Sequence, residues 1–196
     1  MPDGEMMYET DEGKLTEQEI TAANAAWQVS EFFRQLDGAC YRSAMFLRLY
    51  LKDRYGIEGQ AIVGFVNDGK SPAYASHAWF EYEGKLTDIA LSRPLDPERT
   101  PPGRLIIQGV VVEPGHDYTY HETTPEIGQD FIKKFMEHPM LAQVLKAQQE
   151  THAEACACAN DDKLSRTYLD RAPDGWTYLR IAEIVDEQMA RQAKIL

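Results

Sequence analysis

The chain has 196 residues, 43% of them hydrophobic and three of them cysteines; this is enough for one domain with a real core, and the odd cysteine count argues against a disulfide framework. No apolar run approaches the roughly 20 residues of a membrane span, and Met1-Pro2-Asp3-Gly4-Glu5-Met6-Met7-Tyr8-Glu9 lacks the basic and apolar regions of a secretory leader, so a cytoplasmic protein with no membrane partner is expected. The net charge of −12 is uneven: residues 1–37 hold nine acids and two bases, residues 38–104 eight and nine, residues 105–196 fifteen and nine, which leaves no basic footprint for nucleic acid.

Residues 1–15 are polar and acidic and read as a flexible tail. Thr16-Glu17-Gln18-Glu19 is a capping box, and a helix is expected over 17–36, with Ile20, Ala23, Trp27 and Phe33 on one side and Asp37-Gly38 ending it. A second helix is expected over 39–55. Ala44, Met45, Phe46, Leu47, Leu49, Tyr50 and Leu51 make it apolar nearly all round, the mark of a central, buried helix, with Gly56 as its cap. Gln60–Val66 reads as a strand and Asn67-Asp68-Gly69 as a turn.

Two further strand patterns, 75–82 and 85–91, flank Glu83-Gly84. A two-residue loop there sets Tyr82 opposite Lys85, Trp79 opposite Asp88 and His77 opposite Ala90. Since side chains alternate along a strand, His77, Trp79, Asp88 and Ala90 then share one face, and His77 and Asp88 are diagonal neighbours within side-chain reach. The proline-rich stretch 92–103 reads as irregular, 104–112 as a strand, and the remainder as helices over 125–137, 139–151, 161–170 and 177–194. One domain is expected over 16–196, with a core over about 16–122 and a helical extension over about 123–196.

Cys40, His77 and Asp88 are the residue types of thiol nucleophilic catalysis. A thiolate attacks a carbonyl carbon, a histidine moves the proton, and a carboxylate orients the histidine. A cysteine at a helix start feels the positive end of the helix dipole, which favours the thiolate. Its backbone N–H is an orphan donor suited to an oxyanion. A second donor is less evident; the amides of Gln35 and Gln28 both lie upstream, and Gln35 is the nearer. Trp79 is a candidate wall of the cleft.

Gly38-Ala39-Cys40 opening a helix, Tyr55-Gly56-Ile57 before a strand, and His77-Ala78-Trp79-Phe80-Glu81-Tyr82-Glu83-Gly84-Lys85 followed by Asp88 together resemble the transglutaminase-like superfamily. The resemblance covers about residues 36–92. It implies an α+β, papain-like fold in which a helix bearing Cys40 packs on an antiparallel sheet bearing His77 and Asp88, with these three as nucleophile, base and orienting acid. Leu36-Asp37-Gly38 stands where the arylamine acetyltransferases of that superfamily carry Arg-Gly-Gly, which speaks against acetyl transfer.

Other motifs carry less chemistry. His152-Ala153-Glu154-Ala155-Cys156-Ala157-Cys158 lacks zinc-knuckle spacing and reads as an Ala-rich turn or helix end. His116, His121 and His138 have no partner at metal spacing, although Tyr118 and Tyr120 with His116 and His121 can rim a cleft or form a strand edge. No metal or cofactor is expected. The expected function is a cysteine-dependent hydrolase or acyltransferase acting on a peptide, protein or small amide; the alternative is a non-catalytic interaction module on the same fold.

Overall fold

The computed structural model describes residues 9–10, 13–33, 36, 39–94, 96–98, 100–172 and 175–192. Two short strands, β1 (Glu9–Thr10) and β2 (Gly13–Lys14), pair as an antiparallel hairpin within the stretch whose composition reads as a flexible tail. Helix α1 (Glu17–Phe33) begins with the expected reciprocal cap. The Thr16 N–H donates to Glu19 Oε2 at 2.6 Å, and the Glu19 N–H donates to Thr16 Oγ1 at 3.2 Å. Its buried stripe is built from Ala22, Ala23, Ala25, Ala26, Val29 and Phe33, whereas Ile20 lies exposed. Small alanines let neighbouring helices approach closely, so they, rather than the larger Ile20, face inward. The Asp37-Gly38 stop lies outside the described residues.

Helix α2 (Cys40–Tyr55) is buried continuously from Ser43 to Leu51, as its all-round apolar pattern requires. Gly56 closes it in the left-handed region, φ 66°, with its N–H returned to Lys52 O. Strands β3 (Gln60–Asn67), β4 (Ala75–Tyr82) and β5 (Lys85–Thr87) follow. The turn between β4 and β5 has two residues, Glu83 and Gly84, both at positive φ (50° and 70°). This is the geometry whose twist suits a tight hairpin, and it sets Tyr82 opposite Lys85 as expected.

Two expected strands differ in the structure. The 85–91 run leaves the ladder after Thr87, because the backbone of Asp88 bridges instead to Ile106, with N–H···O distances of 2.8 and 3.0 Å. Asp88 and Ala90 therefore do not sit opposite Trp79 and His77 in a ladder. The 104–112 run is a hairpin, β6 (Leu105–Ile107) and β7 (Val110–Glu113), turning at Gln108-Gly109, again with both φ positive. Gln108 is tied into that turn by hydrogen bonds from its N–H and Nε2 to Thr87 Oγ1. The edge strand β8 (Thr119–His121) completes an antiparallel sheet of order β5-β4-β3-β8.

Helices α3 (Glu126–Met136), α4 (Pro139–Cys158), α5 (Asp162–Asp170) and α6 (Tyr178–Gln192) form the C-terminal part. Residues 152–158, which read as a turn or helix end, are the last turns of α4. Among the described residues, no helix is long and apolar enough to cross a membrane.

The fold is α+β, with the cysteine-bearing helix against an antiparallel sheet and helices behind it. One core joins α1, α2, β3 and β4 to Ala155, Leu169, Tyr178, Ile181 and Val185 of the last three helices. Polar ties reinforce it. Buried Arg48 of α2 reaches Asp162 Oδ1 at 2.8 Å and Ser165 Oγ at 3.3 Å, and Tyr50 donates to Asp186 at 2.8 Å.

Candidate active site

Cys40 is the first residue of α2 and is half-buried. Ala39 precedes it as N-cap and has no side-chain acceptor to offer the helix amides. The N–H groups of the first turn have no intrahelical partner by construction, so the α2 start presents donors and the positive dipole end at the thiol.

His77 sits on β4 beyond the point where β5 stops pairing, since the β4–β5 ladder covers only Phe80 to Tyr82. Alternate residues Ala78, Phe80 and Tyr82 belong to the core shared with α2, which leaves His77, Trp79 and Glu81 on the other side of the strand. The His77 ring is 5% exposed and its Nε2 donates to Asp88 Oδ2 at 2.7 Å. Cys40 is a near neighbour of His77 and helps to favour its charged form. With Nε2 committed to Asp88, Nδ1 is the ring nitrogen that remains to serve the thiol.

Asp88 is 1% exposed and fully engaged. Its Oδ1 accepts the N–H groups of Ala90 at 3.0 Å and Leu91 at 3.1 Å, because the chain turns back immediately after the bridge to Ile106. Its Oδ2 accepts from His77 and from the Tyr120 hydroxyl at 2.9 Å. Burial by itself pushes both ionisations toward the neutral forms. The mutual attraction of the two groups and their hydrogen bonds overcome it: His77 is lifted to about 10, and Asp88 is held below the usual carboxylate range. Near neutral pH the site thus contains an imidazolium–carboxylate pair beside a thiol. Burial and the Asp88 charge push the Tyr120 phenol up, so it remains a neutral donor.

Trp79, read as a candidate cleft wall, is 3% exposed. Its indole N–H donates to Glu81 at 2.7 Å, and its ring lies 6.5 Å from His77 and edge-on to Tyr120 at 5.2 Å. It backs the histidine and presents little surface to solvent. Gly64, opposite His77 on β3, makes room for it: a Cβ there would stand 2.8 Å from the indole and 2.4 Å from the His121 carbonyl oxygen.

Gln35 lies outside the described residues. Gln28 points elsewhere, its amide donating to Gln192 Oε1 at 3.0 Å. Of the aromatic and histidine cluster at 116–121, Tyr120 reaches the site. His116 donates to the Asp68 carbonyl, Tyr118 to that of Pro101, and His121 pairs with Thr119. Among the described residues, no group of three or more His, Cys, Asp or Glu side chains is placed to hold a metal ion.

A second polar chain runs one residue away from the first and was not read from the sequence. The Tyr41 hydroxyl, next to Cys40, meets Ser76 Oγ at 2.5 Å, next to His77. Ser76 in turn meets His152 Nδ1, and His152 Nε2 lies 3.4 Å from Cys156 Sγ. Burial keeps His152 below its ordinary value and pushes the Cys156 thiol up. Near neutral pH this chain is uncharged, in contrast to the charged pair beside Cys40.

Comparison with known proteins finds no family model, no curated protein and no solved structure that matches this chain.

Proposed function

We propose that the chain is a cysteine-dependent enzyme of the transglutaminase-like kind, with a papain-like arrangement of helix and sheet, acting on an amide or related acyl carbon. One observation carries this reading. His77 is held by a buried carboxylate on Nε2 and lies close enough to Cys40, at the start of a helix, for that cysteine to favour its charged form.

In the reaction proposed, the Cys40 thiolate attacks the carbonyl carbon and a C–S bond forms. The carbonyl electron pair moves to oxygen, which the N–H groups at the α2 start stabilise. When that oxyanion collapses, the C–N bond breaks and the leaving amine takes the proton from His77 Nδ1. The neutral ring then deprotonates a water, which attacks the thioester. The thiolate departs and the imidazolium is restored. Asp88 holds the ring orientation through both steps and stays ionised. The steps need no metal or cofactor. Water suffices as second nucleophile, so hydrolysis by a peptidase or amidase is proposed in preference to acyl transfer.

The rival reading, a non-catalytic module, draws on the 5% exposure of His77 and on the half-burial of Cys40. Alkylation with iodoacetamide, followed at Cys40 by peptide mapping, separates the two. An enzyme site alkylates rapidly below about pH 8, the range in which an ordinary thiol is mostly protonated, and loses this in His77→Ala. A Cys40 rate no faster than that of an ordinary thiol, unchanged in His77→Ala, refutes the catalytic reading.

A further inference from the structure

His152 and Cys156 stand one helical turn apart on α4, the spacing that puts two side chains on one face. His152 Nε2 lies 3.4 Å from Cys156 Sγ. A tetrahedral cation of the zinc class bonds imidazole nitrogen at about 2.0–2.1 Å and thiolate sulfur at about 2.3 Å, which separates the two donors by roughly 3.5–3.6 Å. The pair thus matches the bite of such a cation to within about 0.2 Å. Without a cation the same spacing is an S–H···Nε2 hydrogen bond.

A second observation points to a ligand. Metal-binding imidazoles are oriented by a hydrogen bond on their other nitrogen. Here His152 Nδ1 meets Ser76 Oγ, which is itself held by the Tyr41 hydroxyl at 2.5 Å, and the Phe65 ring packs on the imidazole at 4.6 Å. With its proton on Nδ1, toward Ser76, the ring turns its Nε2 lone pair to Cys156. Burial keeps the ring neutral, the form that ligates, and pushes the thiol up, so a cation must displace the thiol proton. Cys156 is exposed and reachable. Its neighbours in sequence take no part: Cys158 is buried in the core, and Glu154 is paired with Arg171 at 2.8 Å.

We propose that His152 Nε2 and Cys156 Sγ together chelate a divalent cation of the zinc class, with water filling its remaining positions. Metal–nitrogen and metal–sulfur bonds form, and the thiol proton passes to solvent. Imidazole and thiolate select zinc, nickel or copper over calcium and magnesium, which prefer oxygen. Two protein ligands supply roughly half the binding free energy of a four-ligand structural site, so a Kd between about 1 and 200 μM is expected. These ligands are other than Cys40 and His77, and the site does not depend on the reaction at that thiol.

Cobalt(II) titrated into the reduced full chain tests this, because a Co–S bond gives a charge-transfer band in the near ultraviolet. A saturable band is expected, kept in Cys40→Ser, lost in Cys156→Ser, and displaced by zinc, which binds such donors more tightly. Cys156→His keeps two donors at the same spacing, so by calorimetry it should bind cobalt within about tenfold of the parent, without the band. No saturable band below about 1 mM, or a band that vanishes in Cys40→Ser and persists in Cys156→Ser, overturns the site. So does loss of cobalt binding in Cys156→His, or a His152→Ala variant, folded by circular dichroism, that binds as tightly as the parent.

Discussion

Asp88→Asn exchanges one carboxylate oxygen for an NH2 group and removes one buried charge. Oδ1 receives two backbone N–H groups, so the asparagine oxygen belongs there. The NH2 group then falls on the Oδ2 side, where it meets two further donors, His77 Nε2–H and the Tyr120 hydroxyl. Relief comes if His77 releases its Nε2 proton, accepts from the amide and keeps its remaining proton on Nδ1. That tautomer is neutral and cannot take the thiol proton.

Lifting His77 from 6.5 to about 10 corresponds to roughly 4–5 kcal/mol of preference for the charged ring, which this variant forfeits. Breaking a buried ion pair on one side destabilises by about 3–5 kcal/mol. The two surviving backbone bonds place this variant toward the lower end of that range, a fall in Tm on the order of 6–12 °C for a chain of this size. Cys40 alkylation at pH 6 should fall at least about tenfold, since the thiolate loses its cationic partner. Calorimetry and iodoacetamide rates on the same sample check both numbers. A variant that melts within about two degrees of the parent and alkylates at the parent rate would refute the charged-pair reasoning.

The same pair predicts a pH profile. His77 is raised, so its contribution is complete below about 6.5 and is lost as pH climbs to about 10; Asp88 is lowered, so its contribution is complete above about 4 and is lost as pH falls through its folded value. The urea midpoint of the parent minus that of Asp88→Asn should therefore be widest between about pH 4 and 6.5 and narrow on either side; a flat difference contradicts the linkage. Tyr120→Phe removes one neutral donor from a buried carboxylate and should destabilise by about 1–2 kcal/mol, with a modest loss of Cys40 reactivity; unfolding in urea that matches the parent would count against the contact. Gly64→Ala drives a Cβ against the His121 carbonyl and the Trp79 ring and should destabilise by about 1–3 kcal/mol while slowing Cys40 alkylation, because β8 carries Tyr120. Thr16→Ala deletes the α1 cap, about 1 kcal/mol, and should leave Cys40 reactivity untouched; a change in alkylation rate would show coupling that the structure does not contain.

Features set by local chemistry were legible in the sequence. The Thr16–Glu19 box, the Gly56 cap and the two-residue turn at Glu83-Gly84 depend on neighbours within a few positions, and the turn set Tyr82 opposite Lys85. What escaped depends on partners far along the chain. Asp88 leaves its ladder because Ile106 claims its backbone, and Gln108 adopts a positive φ that no side-chain pattern advertises. Tyr120 reaches the site because β8 pairs with β3, and the Ser76–His152 contact exists because α4 crosses the same strands. Alternation placed Trp79 beside His77 correctly, but could not reveal that Tyr120 would cover it.

The helix that begins with Cys40 shares its core with the last three helices of the chain, and Arg48 and Tyr50 on that helix need Asp162 and Asp186 as partners. During synthesis the β4–β5 hairpin that carries His77 forms early, from residues close in sequence. The last partners of α2 do not, because Asp162 and Asp186 lie on helices translated at the end. The buried Arg48 of α2 therefore waits for its counter-ion until α5 is made, so the helix that begins with Cys40 takes its final seat late in folding.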